Sequence, residues 1–479
     1  MTVSETFDVV VAGAGHNSLV AAAYVAKAGF RCVVLEARER IGGDTATEEL
    51  TRPGFQHDTC STAHNLIQTS PTLRADELGL SAYGLEYIHP DPVVHVPFPD
   101  GTWLTQWCDL DRTCEEFGKF SPRDAAAFRQ MMTEYDAVKG IFGAYRYTPI
   151  GFGPTLLELI ERHPQGARWV RRQAHSWTMP KGGSAALPQA LARCIEAHGG
   201  VVLTRKPVVR LLIEGGRCVG VETEDGAAYR ARHAVLSTIH IKHLVEMAPK
   251  DAWGEEFLAG VGSWQAGVSM FVTHYATTVP PQFPAGQGTI TSVAAGIPGS
   301  VDRMLRVGNE FHRGTVALDD PVLLVVCPTV ADPSRAPAGR HTLKVIGFQP
   351  YELPEGPARW DEIEAGVSAA NLAQLRRYAP NVTDATILGS RIESPLGLER
   401  LNRHNWHGSC HGGDMSPAQS GHLRPVPGWA QHRLPIPGLY QTGATTHPGG
   451  SVSAAPGRNA AMVLLRDLGT SLEAAIERV

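Results

Sequence analysis

A glycine-rich turn close to the N-terminus has residue types and a spacing that suit diphosphate binding. Gly13 and Gly15 separate a β-branched run, residues 7–12, from a run rich in Ala and Leu, residues 18–28. Gly13 permits a tight turn, Gly15 lets the backbone approach a pyrophosphate, and the N-terminus of a following helix directs unpaired N–H groups at that anion. Glu36 ends the next β-branched run, about 20 residues further on, where a carboxylate binds a ribose hydroxyl. This order predicts a dinucleotide site; the alternative is a surface turn followed by a solvated glutamate.

A second glycine pair could bring the backbone close to the same ligand. Gly42 and Gly43 follow soon after Glu36. Arg38 or Arg40, which lie between Glu36 and Gly42, could neutralise a phosphate or cover an adenine ring. Taken alone, this stretch is explained equally well as a loop with solvated charges.

The most informative glycine-rich stretch lies near the C-terminus and indicates a planar ligand. It comprises residues 443–452, and an Ala-rich run over residues 453–468 follows it. The backbone from Gly449 to Val452 could lie flat against a large ring. The N-terminus of the following helix would stabilise negative charge near N1 and O2 of a reduced flavin. The alternative is a loop that only caps a helix.

Three histidines, His407, His411 and His447, are candidates by position for a catalytic base. A structural role is the alternative for each. His407 and His411 have an i, i+4 spacing, but the glycines around them oppose a helix and no third ligand is apparent, so no metal is expected. The eight cysteines are scattered without a C-x-x-C pair, which argues against a zinc ribbon or a disulfide framework. Cys410 is interpreted as a structural thiol.

The elements that must position these residues come from three separate blocks of the chain. Periodicity and turn signals predict a βαβ unit at the start, a helix with an antiparallel meander in the middle, and a strand with a helix at the end. The predicted strands are residues 7–12, 31–35, 201–204, 208–214, 218–224, 228–230, 234–237 and 438–442, and the predicted helices are residues 18–28, 184–198 and 453–468.

Two insertions of different character separate these blocks. Residues 76–177 have helical segments with many aromatic side chains, and residues 262–398 mix strands with one clear helix over residues 360–378. Residues 280–299 are rich in Pro and Gly and are predicted to form a loop. The fold class is therefore α/β: a Rossmann-like domain with a parallel sheet plus an antiparallel meander, and an interleaved α+β domain. The first domain is assigned residues 1–75, 178–261 and 399–479, and the second is assigned residues 76–177 and 262–398.

Composition excludes several function classes. With 479 residues the chain is long enough for two or three domains. A net charge of −5 gives no reason to expect nucleic-acid binding. The N-terminus has no basic region followed by an apolar stretch, so a cytoplasmic protein is expected. Peripheral membrane contact and a homo-oligomer are both left open.

These motifs together resemble the phytoene desaturase and carotene isomerase-like branch of FAD-dependent oxidoreductases, whose wider relatives are the amine oxidase-type flavoproteins. The resemblance covers nearly the whole chain and implies FAD as the cofactor. It departs from the family pattern at Ser18 and Ser451, where relatives often have Gly, and at Asp44, where many have Arg or Ala. The motifs and the resemblance imply cofactor contacts from Gly13, Gly15, His16, Asn17, Ser18, Glu36, Ala37, Arg38, Gly42, Gly43, Asp44, Thr45, Val208, Val209, Gly443, Ala444, Pro448, Gly449, Gly450, Ser451 and Val452.

The chemistry that the resemblance implies is transfer of a hydride from an apolar or aromatic organic substrate to flavin N5, in a dehydrogenase, desaturase or oxidase. Oxygen, a quinone or another protein would then accept the electrons. An FAD-containing double-bond isomerase without net redox change is the first alternative. A non-catalytic carrier on the same scaffold is the second. An enzyme that uses only NAD would leave the C-terminal motif unexplained.

Overall fold

The computed structural model describes residues 4–162, 177–316 and 318–478. Its strands, in chain order, are β1 (Ser4–Ala12), β2 (Cys32–Leu35), β3 (Thr47–Glu48), β4 (His57–Asp58), β5 (Tyr87–Ile88), β6 (Val94–Pro97), β7 (Trp103–Gln106), β8 (Met179–Pro180), β9 (Val201–Leu203), β10 (Val208–Glu214), β11 (Arg217–Thr223), β12 (Ala228–Ser237), β13 (Met270–Thr277), β14 (Phe283–Ala285), β15 (Gly288–Ile290), β16 (Ala294–Ile297), β17 (Leu323–Val326), β18 (His341–Phe348), β19 (Ile387–Glu393) and β20 (Leu439–Gln441). Its helices are α1 (His16–Lys27), α2 (Pro71–Arg74), α3 (Leu110–Gly118), α4 (Pro122–Arg146), α5 (Leu156–Glu161), α6 (Ala186–Ala197), α7 (Ile241–Leu244), α8 (Glu255–Gly262), α9 (Val301–His312), α10 (Trp360–Tyr378), α11 (Pro395–Leu401), α12 (Ala455–Asp467) and α13 (Leu472–Glu477).

The first sheet combines a parallel core with an antiparallel meander. Its strand order is β10-β11-β12-β1-β2-β9, and β20 pairs with β12. The pairs β12-β1, β1-β2, β2-β9 and β12-β20 are parallel, whereas β10-β11 and β11-β12 are antiparallel. β1 and β2 have a continuous β-branched sequence because helices cover one face of the sheet and α8 with its neighbouring loops covers the other. The predicted α/β, Rossmann-like class is confirmed.

One strand prediction in this sheet is wrong. Residues 228–230 and 234–237 were expected to form two strands, but they belong to the single strand β12. β1 pairs with both halves of β12, from Ser4 opposite Ala228 to Ala12 opposite Ser237, with an irregularity between Phe7 and Val9. The long-range partner therefore keeps the strand continuous where its polar middle indicated a break.

The second sheet is largely antiparallel and has the order β19-β13-β18-β17-β16-β6-β7. Helix α10, which has the bounds predicted from the sequence, packs Leu375 and Tyr378 on one face of this sheet. β6 and β7 come from the first insertion, where the sequence had indicated helices, and join strands of the second insertion through β16.

The prediction of a loop over residues 280–299 is also wrong. This stretch contains the β14–β15 hairpin and β16, which pairs with β17 and contacts β6. Small residues form β16, and its partners lie far away in sequence, so the local Pro and Gly content indicated a loop and not a strand.

None of the helices in the described ranges combines the length and the hydropathy needed to cross a membrane.

Candidate FAD site

The N-terminal turn connects β1 to α1 as its glycines predict. Gly13 has a φ of 94°, and a Cβ added there would lie 2.5 Å from Cγ2 of Thr238. The hydroxyl of Ser18 donates to the carbonyl oxygens of Gly13 at 2.7 Å and of Gly15 at 2.9 Å. Ser18 thus stabilises the turn through bonds that a third glycine could not make, which accounts for this departure from the family pattern.

Glu36 reaches back from the end of β2 into this turn. Its Oε2 accepts from the Ala14 N–H at 2.8 Å, and its Oε1 accepts from the Arg38 N–H at 2.9 Å. Burial raises the pKa of the Glu36 carboxyl, and both amide bonds act in the opposite direction. Glu36, the residue predicted to bind a ribose, is therefore held in one orientation next to the turn predicted to bind the diphosphate.

The strand β10 begins close to this acid. The N–H of Lys206 donates to the carbonyl oxygen of Glu36 at 2.8 Å. The predicted adenine-side residues Val208 and Val209 follow directly, with Val208 paired to Thr223. The structure thus brings the two valines near Glu36, and their contact with the cofactor stays a prediction.

The second glycine pair packs directly on the N-terminal turn. The N–H of Gly42 donates to the carbonyl oxygen of Ala14 at 2.8 Å. Gly42 has a φ of 116°, and a Cβ on Gly43 would lie 3.4 Å from Cα of Gly15. No bulkier residue at position 42 would reproduce this approach, because positive φ favours glycine.

The charged and polar side chains near this pair have protein partners. Arg38 forms an ion pair with Glu48 at 2.7 Å. Oδ1 of Asp44 accepts from Nδ2 of Asn402 at 2.8 Å. Asp44, which replaces the family's Arg or Ala, therefore ties the second glycine loop to the C-terminal part of the chain.

The C-terminal motif lies beside the N-terminal turn. Gly443 has a φ of 92°, and a Cβ there would lie 2.5 Å from Oγ1 of Thr238, the same side chain that limits Gly13. A Cβ on Gly457 in α12 would lie 2.2 Å from the carbonyl oxygen of Asn17 in α1. The first turns of the two helices are therefore in direct contact, and both predicted anion-facing helix ends belong to one site.

The segment before α12 has strained backbone. Ser451 has a φ of 130° and Ala454 has a φ of 60°. Positive φ is costly for residues with a Cβ and persists where the surrounding structure requires it. The ring of His16 bonds to the backbone of Ser451, and burial lowers the pKa of His16 to about 4. Ser451, at the position where relatives often have Gly, is thus held by His16 of the N-terminal turn.

The candidate bases have different surroundings. His447 is fully buried, its Nε2–H donates to the carbonyl oxygen of Tyr145 at 2.9 Å, and burial lowers its pKa to about 4. The backbone of His411 contacts the C-terminal motif, since a Cβ on Gly450 would lie 2.5 Å from Cα of His411. The structure places these two at the motif.

The third candidate base packs elsewhere. The ring of His407 stacks on Tyr351 and Trp406, with centroid separations of 4.6 and 4.0 Å. Its φ of 53° interrupts a 3-10 turn, so the i, i+4 spacing from His411 does not lie on a helix.

A buried arginine that the sequence did not indicate connects the parts of the C-terminal motif. The guanidinium of Arg424 donates to the carbonyl oxygens of Ala444, at 2.6 and 3.0 Å, and of His411, at 3.1 Å. It also donates to the carbonyl oxygens of Asp414 and Gln419. Burial lowers the pKa of Arg424 to about 10. No local pattern indicates this role, because its partners are backbone atoms of distant loops.

A buried ion pair between Arg458 and Glu77 attaches α12 to α1. Arg458 contacts both carboxylate oxygens of Glu77, at 2.8 and 2.9 Å, and the Tyr24 hydroxyl donates to the same carboxylate.

A further group of polar side chains lies beside the second glycine loop. Asp44, Cys60 and Cys410 each place one potential ligand atom within 4.8 Å of the others. The sequence did not associate Cys60 with this site.

Comparison with known proteins assigns the family. Residues 109–465 match the model of the flavin containing amine oxidoreductases, and residues 11–76 match an NAD(P)-binding Rossmann-like domain. The chain belongs to the flavin containing amine oxidoreductase family.

Relatives and solved structures extend over nearly the full chain. A limonene dehydrogenase subunit from Castellaniella defragrans is 27% identical, over 97% of this chain and 95% of that protein. A lycopene-forming phytoene desaturase from a Paracoccus species is 23% identical, over 96% and 98%. The fold is similar to that of an oxidoreductase from Methanosarcina mazei, with a TM-score of 0.60 and 16% identity over 96% of this chain and 99% of that chain. The resemblance inferred from the motifs is confirmed, and the protein is an FAD-using oxidoreductase.

The residues present fit FAD. The three glycine loops meet at two helix ends, where added side chains would collide with neighbouring atoms. Within the described ranges, Nε2 of His16, Oδ1 of Asn17, Oγ1 of Thr442 and Nδ1 of His447 are buried without a protein hydrogen-bond partner. Buried polar atoms normally have partners, so a polar ligand at this position would satisfy them.

Proposed function

We propose that the protein removes a hydride from an apolar or aromatic organic substrate and transfers it to FAD. The observation that carries this proposal is the junction of the loops at Gly13–Gly15, Gly42–Gly43 and Gly449–Val452 at the paired N-termini of α1 and α12. When bound, FAD accepts the hydride at N5. The residues named for cofactor binding from the sequence would hold it there.

An apolar surface beside the C-terminal motif supports the substrate class. Met415 is 40% exposed and lies against Gly449. Val268 is 50% exposed and follows Gly267, which contacts Gly413 in the same loop as Met415. Exposed apolar side chains of this size next to a glycine-lined site are typical of a binding surface. The related enzymes named for limonene and phytoene point to the same kind of substrate.

His447 has a defined role in this proposal. Because its Nε2–H donates to the Tyr145 carbonyl, its lone pair is on the buried Nδ1. With a pKa of about 4 it is neutral at pH 7. His447 would therefore orient the motif and could accept a proton only weakly, so positioning of the substrate carries most of the catalysis.

Peripheral membrane contact is also proposed, through α9. Val301, Met304 and Leu305 are 74%, 53% and 68% exposed and lie on one face at i, i+3 and i+4 spacing. Arg306 and Arg313 are exposed beside this face. An apolar face with neighbouring cations suits an anionic lipid surface, where an apolar substrate would be dissolved.

The test of the proposed reaction is an anaerobic titration of the purified yellow protein with terpenes, carotenoids and aromatic compounds. Bleaching of the flavin in proportion to product is expected. Conversion of a compound without bleaching would identify an isomerase. A protein that stays colourless when mixed with FAD would indicate a carrier and contradict the proposal. Reoxidation of the bleached protein with oxygen and with a soluble quinone then identifies the electron acceptor.

A further inference from the structure

A cluster of buried charged side chains lies between the second sheet and the β3–β4 hairpin, which follows the second glycine loop. Asp58 at the end of β4 forms an ion pair with Arg335 at 2.8 Å, and both side chains are 1% exposed. Lys344 on β18 donates to the carbonyl oxygens of Asp58, at 3.2 Å, and of Cys60. His274 on β13 contacts the ring of His57 edge-on, with centroids 5.3 Å apart. None of these residues was singled out by sequence motifs.

Several buried polar atoms in this cluster have no hydrogen-bond partner in the protein. Within the described ranges, they include Nε and Nη1 of Arg335, the hydroxyl of Thr342 and both ring nitrogens of His274, whose neutral ring supplies one donor and one acceptor. Oδ2 of Asp58 also has no hydrogen bond and has only its ion pair with Arg335. Arg335, His274 and Thr342 line one small cavity, together with Lys344 and Asp58. An unsatisfied buried donor is costly, and several around one cavity indicate a missing acceptor.

The charges of the cluster do not balance. Arg335 and Lys344 bring two positive charges against the one negative charge of Asp58. Oδ1 of Asp58 is already occupied by the Thr47 hydroxyl at 2.7 Å and the Ser184 N–H at 2.8 Å. The histidines and thiols near the cavity add no negative charge. Burial lowers the pKa of His57 to about 3 and that of His274 well below its ordinary value. The hydrogen bond with Cys60 and, to a smaller extent, burial raise the pKa of the Cys410 thiol.

We propose that the cavity lined by Arg335, His274, Thr342 and Lys344 binds one small monovalent anion, such as chloride. A monatomic anion accepts from several donors at once and offsets the uncompensated buried charge. The cavity is small, about 10 Å³, so a monatomic anion suits it better than phosphate or an organic carboxylate.

The anion would hold two parts of the molecule together. Asp58 and His57 belong to the hairpin that follows the second glycine loop, whereas His274, Thr342 and Lys344 belong to the second sheet. Because the anion binds the folded state only, its concentration raises stability by mass action. The proposal concerns the stability of the fold and not the flavin reaction, so its failure would leave the proposed function untouched.

Thermal unfolding of the FAD-loaded protein tests the proposal in sodium chloride, sodium bromide and sodium gluconate at equal ionic strength. Chloride and bromide should raise the unfolding midpoint above that in gluconate by about 2 to 4 °C. Thr342→Val should reduce this difference, and Lys344→Met should abolish it. Lys139→Met, which removes an exposed lysine paired with Asp136, is the matched control and should keep the full difference.

Anomalous diffraction from a crystal of the unaltered protein grown in bromide gives a second readout that needs no variant. A bromide peak within hydrogen-bond distance of Arg335 Nε is expected. Equal midpoints in halide and gluconate, or a cavity that holds only water or no density in the bromide crystal, would overturn the proposal. If Lys344→Met does not fold, the Thr342→Val comparison and the crystal decide the question.

Discussion

At the scale of single residues, the candidate site depends on side chains that act on the backbone of the glycine loops. Glu36 and Ser18 bond to backbone groups of the first turn. Arg424 does the same for the last motif, and Thr238 fills the space between Gly13 and Gly443. These contacts fix the backbone of the loops and so preorganise the surface on which a dinucleotide would bind.

Glu36→Ala should weaken FAD binding by roughly 10- to 100-fold, because a charged hydrogen bond contributes about 1.5–3 kcal/mol and the variant also releases the Ala14 and Arg38 amides. Fluorescence titration of the deflavinated protein with FAD measures the dissociation constant. Glu39→Ala, which removes an exposed partner of Arg205, serves as the control and should bind FAD as before. Equal affinity in both variants would exclude a ribose-binding role for Glu36.

The buried histidines predict a loss of stability in acid. The pKa of His16, His432 and His447 is lowered to about 4 by burial, against an ordinary value of 6.5. Between these values the unfolded chain binds protons that the folded chain does not, so stability falls as pH drops from about 6.5 to 4 and is fully present above 6.5. Each group can contribute up to about 1.4 kcal/mol per pH unit.

Urea unfolding at pH 8, 7, 6 and 5 checks this dependence. The free energy of unfolding should be nearly constant between pH 8 and 7 and should fall below pH 6.5. His447→Gln should reduce the slope, while His312→Gln, on the exposed end of α9, should not. A free energy of unfolding that stays constant down to pH 5 would mean that these histidines bind protons in the folded protein as readily as in the unfolded chain.

At the scale of secondary-structure elements, the decisive contact is the approach of α12 to α1. Gly457 contacts the Asn17 carbonyl, and Arg458, the next residue of α12, forms a buried ion pair with Glu77. The two helix N-termini can face one ligand only because glycine at position 457 permits this distance.

Gly457→Ala should therefore separate the helices. Its Cβ would lie 2.2 Å from a backbone oxygen that cannot yield without a helix shift, so we expect a loss of about 1–3 kcal/mol in stability together with weaker FAD binding. Gly366→Ala is the matched control, since Gly366 is also inside a helix, α10, and has no atom near the position of an added Cβ. That variant should be neutral or slightly more stable. Differential scanning calorimetry and FAD content after gel filtration measure both effects.

At the scale of the whole molecule, the β3–β4 hairpin and the segment after it connect the glycine loops to the second sheet. Lys344 of this sheet binds the backbone of Asp58 and Cys60, and Asp58 pairs with Arg335. α9 carries an exposed apolar face formed by Val301, Met304 and Leu305.

Met304→Asp combined with Leu305→Asp should abolish binding to vesicles of mixed phosphatidylcholine and phosphatidylserine, because the variant places two charges on the apolar face of α9. Flotation of protein with vesicles measures the bound fraction. Phe120→Asp, at an exposed apolar residue outside α9, should bind vesicles as the unaltered protein does. Flotation that is equal for all three proteins, or absent for the unaltered one, would contradict membrane contact through α9.

The amino-acid sequence by itself determined the features whose causes are local. The turn at Gly13–Gly15, the acid at Glu36 and the helix over residues 360–378 follow from periodicity, positive-φ glycines and the spacing of polar residues, and the structure shows each of these local elements. The family resemblance followed from the same short motifs.

Only the tertiary structure decided which distant residues meet. Four features depend on partners far away in sequence. They are the position of Thr238 between two glycines, the bonds of Arg424 to four backbone carbonyls, the continuity of strand β12 and the unbalanced charges around Lys344. Such contacts arise from the packing of completed elements against each other, and no short stretch of chain contains the information that specifies them.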